Sequence, residues 1–230
     1  MKKITVLFFL CCMGFVSGAQ KKNKEKKKTE PTVVDYTPPA PVADTSKKFA
    51  GIIRYRITSD DPADRDSMFI VFGQNQIRVI MFIPGYREDQ VFERSMIANF
   101  KDSSFLELDT RAKTFKTEKL SARNDGSSFM LAGNKKTGLI LNQSCQEYTG
   151  EMKTTDGEVF QSACLISNRH SYVDAMDYYF LNIQPVVIGY KIVLGFRTKS
   201  SDNENTYFVA YKIEPGATDS FFDLSQYQSK

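Results

Sequence analysis

From Phe49 onward the chain is cut into short runs of β-branched and aromatic residues by turn-forming residues. FAGIIRYRIT at 49–58, SMFIVFG at 67–73, IRVIMFI at 77–83, SFLELDT at 104–110, KTFKTEKL at 113–120 and TYFVAYKIEP at 206–215 are examples. Branched and aromatic side chains fit a pleated surface, and Gly, Asn, Asp and Pro supply the backbone angles of tight turns. Runs of this length at hairpin spacing predict antiparallel strands, and no strand–helix–strand rhythm is present. The expectation is a mainly β domain with one or two helices, built on a large, strongly curved antiparallel sheet or barrel. The 182 residues from 49 to 230 suffice for one such domain with its own core.

One segment departs from the strand pattern. HSYVDAMDYYFLNIQP, residues 170–185, places Val173, Met176, Phe180 and Ile183 at helical spacing. Ser171 with Asp174 three residues later resembles a capping box, and Pro185 would end the element. The reading is one main helix laid against the concave face of the sheet, with a second, short one conceivable in QVFERSMIANF at 90–100.

Two strands are apolar on both sides, Met68–Phe72 and Val79–Ile83. A strand with one solvated face alternates, so each side of these must be covered. A helix could cover one side, and a partner sheet, a second subunit or an apolar ligand the other. A curved sheet often encloses a ligand cavity. The candidate groove is therefore Met68, Ile70, Phe72, Val79, Met81, Val173, Met176 and Phe180, with methionines suited to an adaptable apolar surface. The same residues would serve equally as ordinary core.

The N-terminal region sets the expected address. Lys2 and Lys3 precede the apolar run Ile4–Val16, and small residues flank a cut after Ala19. That is the pattern of a cleaved secretory signal over 1–19, too short to anchor in a bilayer. A lipoprotein signal acylated at Cys11 or Cys12 is disfavoured by the bulky Phe8, Phe9 and Leu10 before them. Residues 20–48 are Lys-rich, then Pro-rich, and read as a disordered tether. Of the net charge of +4, the leader supplies +2 and the tether +4, leaving −2 for residues 49–230. The basic character thus belongs to the arm, which argues against a nucleic-acid-binding domain. The expected location is periplasmic or secreted, with no transmembrane segment in the mature chain.

Cys145 and Cys164 are the only cysteines outside the leader. A hairpin centred between Thr154 and Thr155 places them opposite each other, whereas a turn centred on Asp156–Gly157 shifts the partner by a few residues. An exported compartment favours a disulfide, which would stabilise by about 3 kcal/mol. Zinc lacks ligands, because His170 is the only histidine. A redox pair lacks the close spacing that activates a thiol.

Little else carries chemistry. There is no Gly-x-Ser-x-Gly elbow and no phosphate-binding glycine loop. His170 sits just before the expected helix cap. Asp60, Asp61, Asp64 and Asp66 lack the spacing of a calcium loop. The chain is read as non-enzymatic, with no cofactor and no metal.

The order of several pieces carries a resemblance. Arg78 follows the second hairpin. Leu108-Asp109 and Lys113–Phe115 form a strand pair, and Gly138, Cys145 and Tyr148 share a later strand. Phe222 and Tyr227 then close the chain. Over residues 49–228 this resembles exported proteins of Gram-negative bacteria that carry a domain similar to the lipoprotein-localisation factors LolA and LolB. The strand around Gly138 departs from that pattern, reading LILNQS before the cysteine. The resemblance implies a half-open β-barrel wrapped around a helix, with an apolar groove for acyl chains. The resulting expectation is an envelope protein binding a lipid or lipoprotein acyl chain. The alternative is a structural or interaction module with a filled core and an envelope protein partner.

Overall fold

The computed structural model describes residues 42–60, 67–84, 91–120, 128–153, 159–180, 184–199 and 205–230. The expected signal peptide, nearly all of the expected tether, most of the acidic loop and the turn between the two cysteines lie outside the described residues. All described residues belong to the compact unit Pro39–Lys230.

Among the described residues fourteen strands form one sheet. They are β1 (Gly51–Ser59), β2 (Ser67–Phe72), β3 (Gln76–Pro84), β4 (Val91–Asn99), β5 (Ser104–Asp109), β6 (Thr114–Lys119), β7 (Ser128–Ile140), β8 (Gln143–Lys153), β9 (Val159–Ser171), β10 (Tyr178–Phe180), β11 (Gln184–Ile188), β12 (Lys191–Lys199), β13 (Asn205–Pro215) and β14 (Gln228–Ser229). The order is β14-β6-β5-β4-β3-β2-β1-β13-β12-β9-β8-β7, with β10 and β11 attached to β12. Sequence neighbours mostly pair as hairpins, as the turn residues between them favour. Two of the turns are two-residue connections with both positions left-handed. These are Leu141 and Asn142 between β7 and β8, and Gly189 and Tyr190 between β11 and β12. That handedness matches the twist of the flanking strands. Non-sequential joins are β14 to β6, β12 to β9 and β1 to β13, the last from Gly51↔Pro215 to Ser59↔Thr206. The β1–β13 pairing unites the two halves of the domain into one sheet, which stays open.

The expected helix is absent; the described residues contain no α-helix, only short 3-10 turns such as those at Thr45–Lys47 and Asp219–Phe222. In its place β9 runs to Ser171, a turn follows, and β10 pairs with β11 through Tyr178↔Val187 and Phe180↔Gln184. Tyr172 N–H donates to Tyr190 O at 2.7 Å, and Tyr190 N–H to Met176 O at 2.8 Å. Asp174 accepts from Asn75 N–H instead of capping a helix. Ile183 lies outside the described residues. Tertiary partners for the backbone thus outweigh a weak local helical period. The segment QVFERSMIANF is likewise extended, as β4.

The main core lies on one face of β1–β5. Register brings Ile53, Ile70, Val79 and Met96 into one row, and Tyr55, Met68 and Met81 into the next. Tyr172, Tyr178, Phe180, Val186 and Val187 close over them, with Tyr55 O–H donating to Val193 O at 2.7 Å. A smaller cluster of Cys164, Ile166, Val193 and Phe196 occupies the β9–β12 region.

Candidate functional site

The predicted groove residues do not line an open groove. Met68, Ile70, Phe72 and Val79 have no exposed surface, Phe180 is 3% exposed, and all five belong to the main core. Met81 packs at its margin. Val173 is half-buried and Met176 is 39% exposed, so these two stand outside it. Each fully buried apolar side chain contributes about 1.5–3 kcal/mol by leaving water. The strands deliver these side chains to one face by their period of two, and protein side chains fill the space opposite.

The second apolar side of β2 and β3 also has a cover, and it is the chain's own C-terminus. Val71, Arg78, Ile80 and Ile97 stand on the face opposite the core, all under 9% exposed. Residues 218–230 form a strap over β3–β6 on this side. Thr218 Oγ1 donates to Phe72 O at 3.2 Å. The buried Arg78 donates from Nη1 to Phe221 O at 2.5 Å and from Nε to Ser95 Oγ at 2.8 Å. The Phe222 ring seats where Gly73 has no side chain. β14 then pairs in parallel with β6 through Gln228↔Thr114 and Ser229↔Phe115. A Cβ at 73 would overlap that ring, so any larger residue there would have to push it aside.

Between the strap and the β4–β5 turn lies an open cleft of about 300 Å3. Ile97 and Leu106 form its floor and Phe222 and Leu224 one wall; Gln76, Asn99, Asp102, Ser104 and Thr117 supply polar groups. Several of these are already engaged. Asp102 accepts from Ser104 N–H at 3.0 Å, Ser104 Oγ at 2.6 Å and Asn99 Nδ2 at 3.2 Å. The cleft can offer hydrogen bonds to a small polar molecule, but it is no channel for an alkyl chain. The sequence marks the turn, through NFKDSS at 99–104, but the strap that makes the second wall is invisible until the fold is formed.

The expected disulfide is not formed. Both cysteines are free and buried. β8 and β9 pair Cys145 with Ser167 and Cys164 with Tyr148, so the hairpin is shifted by three residues from the register a bridge needs. Three is odd, which sends the two thiols to opposite faces of the sheet. Cys145 joins the main core and Cys164 the smaller cluster. Burial pushes both thiols up, Cys164 to about 12 with help from the nearby Glu147 charge. High thiol pKa and burial describe inert cysteines.

His170 precedes the end of β9 and is half-buried, its ring 5.0 Å from that of Phe49. Its Nε2 is buried without a hydrogen-bond partner, and desolvation, with the charge of Arg169, lowers its pKa. No group of three or more metal-ligating side chains occurs among the described residues. Asp60 is used to accept from Asn205 N–H and Nδ2, both at 2.9 Å; Asp61, Asp64 and Asp66 lie outside the described residues. No helix among the described residues is long and apolar enough to cross a membrane.

No family model matches the chain, and no curated protein matches it. Structures of PNGF-II in space groups C2 and P21 superpose on it with TM-scores of 0.49 and 0.44, at 9% and 8% sequence identity. Each match covers 79% of this chain but only 31% and 32% of the other. The chain therefore spans about a third of the length of PNGF-II, and a likeness at this level decides no function.

Proposed function

We propose that this chain is an exported, non-enzymatic envelope protein that works as an interaction module with a filled core. The observation that carries the reading is the fate of the groove residues: Met68, Ile70, Phe72 and Val79 are wholly buried against side chains from β10 to β12. A carrier of acyl chains needs apolar surface that water or lipid can reach, and here that surface is spent on folding. The groups best suited to catalysis support the same reading. Both thiols are buried and protonated, and the one histidine is packed on Phe49. The N-terminal signal pattern and Lys-rich tether supply the address and a spacer.

Native mass spectrometry of the protein exported by a bacterial host, combined with uptake of a fluorescent fatty acid, tests this. The expected result is an apo mass and no saturable uptake. A stoichiometric co-purifying lipid, or saturable fatty-acid binding lost on Ile70→Trp, would restore the acyl-carrier reading in its place.

A further inference from the structure

The face opposite the core is covered by the strap only over β3–β6. Further along the same sheet, around Arg56 on β1, Val209, Tyr211 and Lys212 on β13 and Arg197 at the end of β12, it reaches solvent, and its composition is distinctive. Ile53, Tyr55 and Ile57 point into the core, so Arg54 and Arg56 stand on the other side. Register places Phe69 and Lys212 beside Arg54, Val209 beside Arg56, and Arg197 beside Tyr207. The Arg54 guanidinium lies 4.2 Å above the centre of the Phe69 ring, which packs on Phe82 at 5.0 Å. The Arg56 guanidinium lies 5.6 Å from the Tyr211 ring. Val209 and Tyr211 are 43% and 41% exposed.

Among the described residues the charge on this face is unbalanced. Glu214 pairs with Arg54 and, at 2.9 Å, with Lys212. Arg56 and Arg197 are exposed and form no ion pair among the described residues. Lys199, at the margin, faces Asp60. The described side chains of this face thus form a cationic patch on a domain whose net charge is −2. Arginine held over an aromatic ring is placed to take carboxylates in a fork, and arginine with tyrosine is enriched at the centres of protein interfaces.

The geometry points to this Arg–aromatic face as the docking surface for a partner protein segment that is acidic and carries aromatic side chains. A second copy of the chain is a poor occupant, because two cationic faces repel. The inference rests on the interaction-module reading and specifies its surface.

The test uses the mature chain with its tether and three probes: a fluorescent glutamate–tyrosine copolymer, polyglutamate, and phosphatidylglycerol vesicles. Arg56→Glu with Arg197→Glu reverses the face, and Lys26→Glu with Lys27→Glu reverses the tether equally. The copolymer is expected to bind more tightly than polyglutamate. Reversing the face should weaken it by at least about tenfold, as loss of a central anchor does. The tether variant should keep most of the affinity, and Tyr211→Ala should remove the preference for the copolymer. These side chains are exposed, so thermal melts should match the parent. Copolymer affinity unchanged by the face variant, or abolished by the tether variant, would overturn the proposal. So would vesicle binding lost only in the face variant, which would make the surface a lipid site. A co-purifying acyl chain would refute the filled core and leave this face standing, so the two failures are separable.

Discussion

The placement of Cys145 and Cys164 on opposite sheet faces predicts how the two thiols react. The perturbation is iodoacetamide at pH 8.5 on the folded, exported protein. An ordinary thiol is about half ionised there. With the Cys164 thiol pushed up to about 12, only about one molecule in 3,000 carries the thiolate. A more basic thiolate is also more nucleophilic, which recovers about 30-fold. The net expectation is alkylation about 50-fold slower than for an unfolded cysteine, before burial slows access further. Peptide mass spectrometry should show Cys164 unmodified in the native state and rapidly modified in guanidinium. The same shift carries a stability consequence. Above about pH 8.5 the unfolded chain releases the proton that the folded chain keeps, so stability is full below that pH and falls as pH rises toward about 12. A Cys145–Cys164 linked peptide in a non-reduced digest would refute the reasoning, because the pairing of Cys164 with Tyr148 forbids that bridge. Native alkylation as fast as in guanidinium would refute it equally.

Three further outcomes are expected. Gly73→Ala should cost about 1–3 kcal/mol, or about 2–12 °C in Tm, by forcing a methyl group into the Phe222 ring; adding Phe222→Ala should recover part of that loss, and strictly additive effects would dismiss the contact. Ile70→Ala should cost about 2–5 kcal/mol by urea unfolding, as befits a core residue and not a ligand contact. Since the pKa of His170 is lowered on folding, the unfolded chain binds the extra proton first as pH falls below about 6.5, and stability drops there; above that pH the term is flat. His170→Asn should flatten this part of the pH profile, and an NMR titration finding a raised His170 pKa would contradict it.

A mainly β domain was legible in the sequence because strand-forming runs and hairpin turns are local signals, each readable within about ten residues. The turn at Gln74–Asn75 and the hairpins of β2 with β3 and β5 with β6 fall where those signals place them. The face opposite an apolar strand, in contrast, depends on what arrives from elsewhere. Both sides of Met68–Phe72 had to be covered, but only the fold assigns one side to Tyr172, Tyr178 and Phe180 and the other to the C-terminal strap. The helical stripe at 170–185 misled for a related reason. Tyr178 and Phe180 fit a period of two as well as Val173, Met176 and Phe180 fit a period near 3.6, and the choice fell to backbone partners on β11 and Tyr190.

The sequence by itself determined strand content, the hairpin chemistry and the need to cover both faces of the central strands. Only the tertiary structure decided register and cover. A shift of three residues between β8 and β9 separated two thiols that sequence allowed to meet. Pairing between β1 and β13, far apart in the chain, set arginines and aromatics side by side on one face. Local propensity acts over a few residues, whereas register and face are settled by which apolar surfaces find each other, a property of the whole chain.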